Sequence, residues 1–132
     1  MNINQILKKL ILFVAIAFFS FIVWIIYLAN TGQNSIFFEF VDILPYGDKL
    51  GHFFLFGFLS LAANFAFKLK TFSLFSRDIY IGSIIVFSFA LIEELSQYFF
   101  PNRTLDIIDL IADILGILMF TLLTKLLKKK YL

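Results

Sequence analysis

Ile79-Tyr80-Ile81-Gly82-Ser83-Ile84-Ile85-Val86-Phe87-Ser88-Phe89-Ala90-Leu91-Ile92-Glu93-Glu94-Leu95-Ser96-Gln97 is the stretch whose reading decides the fold. Its unbroken apolar run, Ile79–Ile92, is 14 residues long before two adjacent carboxylates end it. Crossing about 30 Å of hydrocarbon at 1.5 Å per residue takes roughly 20 helical residues. By length alone the run fits a re-entrant segment as well as a span. Three other segments carry no such ambiguity: Leu10–Ala29, Leu50–Phe67 and Leu105–Leu123. The first is too long for a signal peptide, and Tyr27 stands where a small residue would be needed before Ala29, so it reads as a retained helix.

Charge placement resolves the third segment. Lys8 and Lys9 precede the first span, and Lys68, Lys70 and Arg77 lie between the second and third. Lys125, Lys128, Lys129 and Lys130 follow the fourth. If all four segments cross, nine of the eleven basic residues share one side, and only Lys49 and Arg103 fall on the other. If the third does not cross, the Lys-rich tail lies outside, against the positive-inside bias. The expectation is therefore an all-α, four-helix membrane bundle with both termini cytoplasmic. It forms a single domain, 1–132, with helices at about 7–29, 49–67, 78–100 and 105–125.

Composition agrees. Of the 132 residues 61% are hydrophobic and only 15% charged, and the mean hydropathy is +0.96. A water-soluble domain carries roughly 45–50% apolar and about 25% charged residues, so lipid is the expected solvent. The absence of Cys excludes disulfides and thiolate metal sites. Trp24 and Tyr27 read as interface anchors, and the basic tail as a stop signal drawn to anionic lipid, with no nucleic-acid role. Gly51, Gly57, Ala62, Ala63 and Ala66 read as close-packing positions on the second helix. In the first outer connection, Ile36–Leu44 fits either a short amphipathic helix at the interface or a floppy loop of incidental hydrophobicity. The second, Pro101-Asn102-Arg103-Thr104, is short enough to make the third and fourth helices antiparallel neighbours.

The informative residues are the acids. Asp106, Asp109 and Asp113 are spaced three and four apart, so they share one helical face, continued by Gly116 and Phe120. Counted from Leu105, Asp113 is roughly 12 Å deep. Glu93, Glu94 and Gln97 sit near the outer end of the third helix. Asp48, Lys49 and His52 open the second, and Arg103 caps the turn. All ten converge on the outer half of the bundle as an outward-opening polar pocket between the second, third and fourth helices, with the first as packing partner. Six carboxylates against two cations leave a net charge of −4 with His52 neutral. Such a charge does not persist in low dielectric, so protons must be shared or a cation bound. An ion pair or two would suffice to lock helices together, and this set exceeds that need.

These residues resemble the VanZ-like family of bacterial membrane proteins, named for an accessory protein of teicoplanin resistance. Pro45-Tyr46-Gly47-Asp48-Lys49-Leu50-Gly51-His52-Phe53 matches the family's Asp-Lys-x-x-His-Phe signature. Glu94-Leu95-Ser96-Gln97, Pro101-Asn102-Arg103, Asp109 and Gly116 match its Glu-x-x-Gln, Pro-Gly-Arg, Asp and Gly elements in order. The resemblance runs from Pro45 to about Met119. Asn102 departs from the usual Gly, and Asp113 stands where many members carry Asn. The resemblance implies a multi-pass protein of the bacterial cytoplasmic membrane, a cell-envelope context and an effect on antibiotic susceptibility.

Two functions compete, with a structural or regulatory partner role as a third reading. In the first, the pocket binds or translocates a lipid-linked, cell-wall or cationic glycopeptide-type ligand at the outer leaflet. Glu94, Asp109 and His52 would then bind, with Lys49 and Arg103 at the rim. The alternative is a membrane-embedded, Mg-dependent hydrolase or transferase on a lipid-linked envelope substrate. Against it, the chain has no HExxH, nucleophile elbow or phosphate-cradling Gly loop. His52 is the only His, so no metal site is assigned, and one built here would be oxygen-rich, suiting Mg²⁺ or Mn²⁺ better than Zn²⁺.

Overall fold

The computed structural model describes residues 2–33, 36–101 and 103–131; Asn34 and Ser35 of the first connection and Asn102 of the second lie outside the described residues. The described residues form five α-helices: α1 (Ile3–Asn30), α2 (Ile36–Ile43), α3 (Gly47–Ala66), α4 (Ile81–Ser96) and α5 (Ile107–Tyr131). Four of them are long and apolar enough to cross a membrane: α1, α3, α5, and α4 with the 3₁₀ turn Gln97–Phe99 that extends it. That fits a multi-pass membrane protein.

Helix α1 starts earlier than its apolar run because its first turn is closed by a capping box. The Asn2 side chain accepts from the Gln5 N–H at 2.9 Å, and the Gln5 side chain accepts from the Asn2 N–H at 3.3 Å. Large apolar side chains remain exposed around the bundle, among them Phe13, Ile16 and Trp24 on α1 and Ile111, Leu115 and Leu118 on α5. On a water-soluble domain so much apolar surface would be an aggregation liability; here it is the face that lipid covers.

The all-α expectation needs one correction. Thr71–Leu74 (β1) and Arg77–Tyr80 (β2) form an antiparallel hairpin in the register Thr71 to Tyr80 and Leu74 to Arg77. Its two turn residues, Phe75 and Ser76, both take positive φ, 51° and 62°. That is the twist a tight two-residue hairpin demands. Ile79 and Tyr80 therefore belong to a strand, and the third span starts at Ile81 rather than at 78. At the other end it gives up the α-helical form after Ser96.

Helix α3 is central and packs against α1, α4 and α5. The core comprises Ile22, Phe56, Leu59, Ala63, Val86, Ala90 and Ile117. Two glycines bring α3 and α5 together at the waist. A Cβ on Gly116 would run into the Phe53 carbonyl, and one on Gly57 into the Phe120 ring. Gly57 and Ala63 are thus packing positions as expected, whereas a Cβ on Gly51 would meet nothing within 4 Å, so Gly51 is not one. Helix α2 folds back over the start of α3, with the Val41 carbonyl against Gly47 where a Cβ would collide. This contact lays Phe38 and Val41 beside α3.

Candidate functional site

The first turn of α3 faces the first turn of α5, and this pairing builds one end of the bundle. Lys49 projects from α3 among three carboxylates. Its Nζ donates to Asp48 Oδ2 at 2.8 Å, Asp106 Oδ2 at 2.7 Å and Asp109 Oδ1 at 2.6 Å. Asp106 also caps α5, its Oδ1 accepting from the Ile108 N–H at 2.9 Å. Hydrogen bonding from the Lys49 ammonium, and then from that N–H, holds the Asp106 carboxyl below its ordinary pKa.

One turn further along, His52 Nδ1 lies 2.8 Å from Asp113 Oδ1, and its Nε2 faces Asp109 Oδ2 at 3.7 Å. The ring stacks on Phe56, with centroids 6.1 Å apart. Helix α4 supplies the opposite wall. Gln97 Nε2 donates to both oxygens of Glu93, at 3.0 and 3.1 Å, and to Glu94 Oε2 at 3.2 Å. The Asp106 N–H donates to Glu94 Oε1 at 2.9 Å, tying α4 to the start of α5. Arg103 pairs with Glu93 at 3.2 Å and donates to the Asn30 side chain of α1 at 2.9 Å.

All ten residues singled out from the sequence lie at this end, but they do not share one chamber. A cavity of about 130 Å³ opens between α1, α2 and α3, lined by Ile22, Ile25, Ile26, Leu55, Phe56, Phe38 and Val41. Of the ten, Asp48, His52, Glu93 and Arg103 reach its wall. Glu94, Asp109 and Asp113 are buried behind it, between α3, α4 and α5. Helix α1 is thus part of the cavity wall, where a packing or anchoring role was expected. The sequence reading also missed Asn30, an acceptor for Arg103 that an Asn at the end of an apolar run signals.

A second polar cluster escaped it altogether. Toward the hairpin end of the same three helices, the Asn64 amide donates to Ser83 Oγ at 2.9 Å and to Thr124 Oγ1 at 3.3 Å. Ser83 in turn lies 2.7 Å from Thr121 Oγ1. Asn64 and Thr124 are fully buried, and a Cβ on Gly82 would strike the Asn64 backbone. An Asn inside the apolar run of the second span was the available signal.

A family model described as VanZ/LLP1 matches residues 1–128 of the chain. No curated protein and no solved structure matches it.

Proposed function

This chain belongs to the VanZ/LLP1 family, and from that premise we propose a binding or translocating role at the acidic end of the bundle. The ligand is lipid-linked, a cell-wall precursor, or a cationic glycopeptide-type molecule. The setting is the bacterial cytoplasmic membrane, with the acidic end in the outer leaflet, both termini cytoplasmic, and an effect on antibiotic susceptibility. The lysine distribution along the chain supports that orientation.

One observation carries the reading. The 130 Å³ cavity has apolar walls from α1, α2 and α3, and Asp48, His52, Glu93 and Arg103 also line it. An amphipathic ligand with a hydrocarbon part and a polar or cationic head finds both environments within a few ångströms. Helix α2, amphipathic and packed on the start of α3, forms part of the cavity wall through Phe38 and Val41 and supports this reading.

The test is a titration of the purified protein, in nanodiscs of bacterial phospholipid, with a lipid-linked cell-wall precursor and with teicoplanin. Saturable binding of at least one is expected, weakened about tenfold in Glu93→Gln, a loss of about 1.4 kcal/mol. If the folded protein binds neither, the reading fails.

A further inference from the structure

Charges at the acidic end can be matched partner by partner. Arg103 is matched by Glu93 at 3.2 Å. Lys49 serves Asp48, Asp106 and Asp109, and the Asp48 and Asp106 side chains are 59% and 34% exposed, so water carries part of their solvation. That leaves Glu94 and Asp113, on α4 and α5, together with the ring of His52 on α3. Both carboxylates are buried, at 1% and 0% exposure. Two carboxylates in this setting require a compensating charge of about +2 or bound protons.

The hydrogen bonding of the two acids differs. Glu94 accepts from Gln97 Nε2 and from the Asp106 N–H. Asp113 has His52 on Oδ1 alone. Among the described residues, its Oδ2 is the one buried side-chain polar atom with no hydrogen-bond partner. A carboxylate oxygen that is fully buried yet unpartnered has bonding capacity that an ion, a proton or a water can complete. One ligand atom each from His52, Glu94 and Asp113 lies within 4.8 Å of the other two. Around an ion with bonds of about 2.1 Å, ligand atoms stand about 3–4 Å apart, inside that 4.8 Å limit.

We propose that His52, Glu94 and Asp113 bind one divalent cation of the Mn²⁺ type. One imidazole nitrogen with two carboxylates suits an ion that accepts both donor kinds, and its charge cancels that of the two acids. Nδ1, the ring nitrogen beside Asp113, faces the ion. Nε2 faces Asp109 Oδ2 at 3.7 Å, beyond hydrogen-bond reach, so that carboxylate acts on the ring through its charge. His52 also lines the 130 Å³ cavity, which gives the ion a route in past its ring. Bound there, the cation joins α3, α4 and α5 at one point. The inference is independent of the ligand proposed above, because the metal alone is the probe.

The experiment strips the full-length protein in detergent with chelator and titrates Mn²⁺, following the loss of the free-ion EPR signal. Wild type is expected to take up one Mn²⁺ per chain, with ¹⁴N coupling from the imidazole in the bound spectrum. Asp113→Asn and His52→Gln lower affinity at least tenfold, while Asp78→Asn, in the exposed hairpin, leaves it unchanged. The absence of saturable uptake by folded wild type overturns the proposal, and so does uptake without ¹⁴N coupling. If wild type takes up no Mn²⁺ and Asp113→Asn raises its melting temperature, the pair shares a proton instead, which also overturns it. The wild-type spectrum decides even if a variant fails to fold.

Discussion

Helices α3, α4 and α5 carry two buried polar clusters, one at each end, and the two are built on opposite principles. At the hairpin end Asn64, Ser83, Thr121 and Thr124 are neutral and satisfy one another. Thr121 and Thr124 also donate back to carbonyls on their own helix, at 2.6 and 2.8 Å. At the other end Asp48, Glu93, Glu94, Asp106, Asp109 and Asp113 outnumber their cations, and Asp113 keeps an oxygen without a partner. A closed set of neutral bonds is how helices are held together where no water is available. An excess of buried charge costs stability unless something else binds. The first cluster reads as a lock and the second, on the function proposed above, as a site; the glycine waist between them, Gly57 and Gly116, keeps the helices close enough for both.

The largest effect is expected at the waist, which both clusters depend on. Gly116→Val drives a side chain into the Phe53 carbonyl of α3, a backbone group that cannot rotate away. The helices must separate, at a cost of about 3 kcal/mol or more. A melting curve in detergent should show the steepest loss of the series, and an unchanged melting temperature would mean that α3 and α5 do not cross there.

A middle-sized effect is expected at the lock. Asn64→Ala removes bonds to Ser83 and Thr124 while leaving both hydroxyls buried. Interhelical bonds of this kind contribute about 1–2 kcal/mol, so the melting temperature falls while ligand binding at the far end persists. Loss of binding in this variant would merge the two clusters into one unit.

The smallest effect lies at the rim of the acidic end. The Asp106 carboxyl is held below its ordinary pKa by Lys49 and the Ile108 N–H. A folded-state pKa below the unfolded value means its contribution is complete above the ordinary value of about 3.9 and disappears as pH falls through the depressed one. The melting-temperature gap between wild type and Asp106→Asn is therefore expected to be present at about pH 5 and to shrink as the pH falls below the ordinary carboxylate value. It will be small because the pair is partly solvated. A gap that widens on acidification would reverse the sign.

The two ends also differ in how far the sequence disclosed them. Periodicity put Asp106, Asp109 and Asp113 on one face, and Asp109 and Asp113 are indeed both buried on α5. A short connection made α4 and α5 neighbours. The sequence did not show that Lys49 would engage three carboxylates at once, because that depends on the relative rotation of α3 and α5. Nor did it show that the cavity would lie on the α1 side of His52 instead of among all the acids. The lock went unread because Ser, Thr and Asn in apolar runs resemble ordinary lipid-tolerated residues until two helices bring them together. The hairpin was missed for a local reason. Phe75-Ser76 lacks the Asn-Gly or Asp-Gly turn signal, although Thr71–Leu74 alternates with the period of a strand.

The contrast between lock and site is tested most directly by measuring melting temperature and ligand affinity together on Glu93→Gln and Asn64→Ala. Glu93→Gln is expected to lose about tenfold in affinity, with some loss of stability because Arg103 is left without its partner, and Asn64→Ala to lose stability while keeping affinity. Should Glu93→Gln melt as early as Asn64→Ala with its affinity intact, the acidic end is a second lock and not a site.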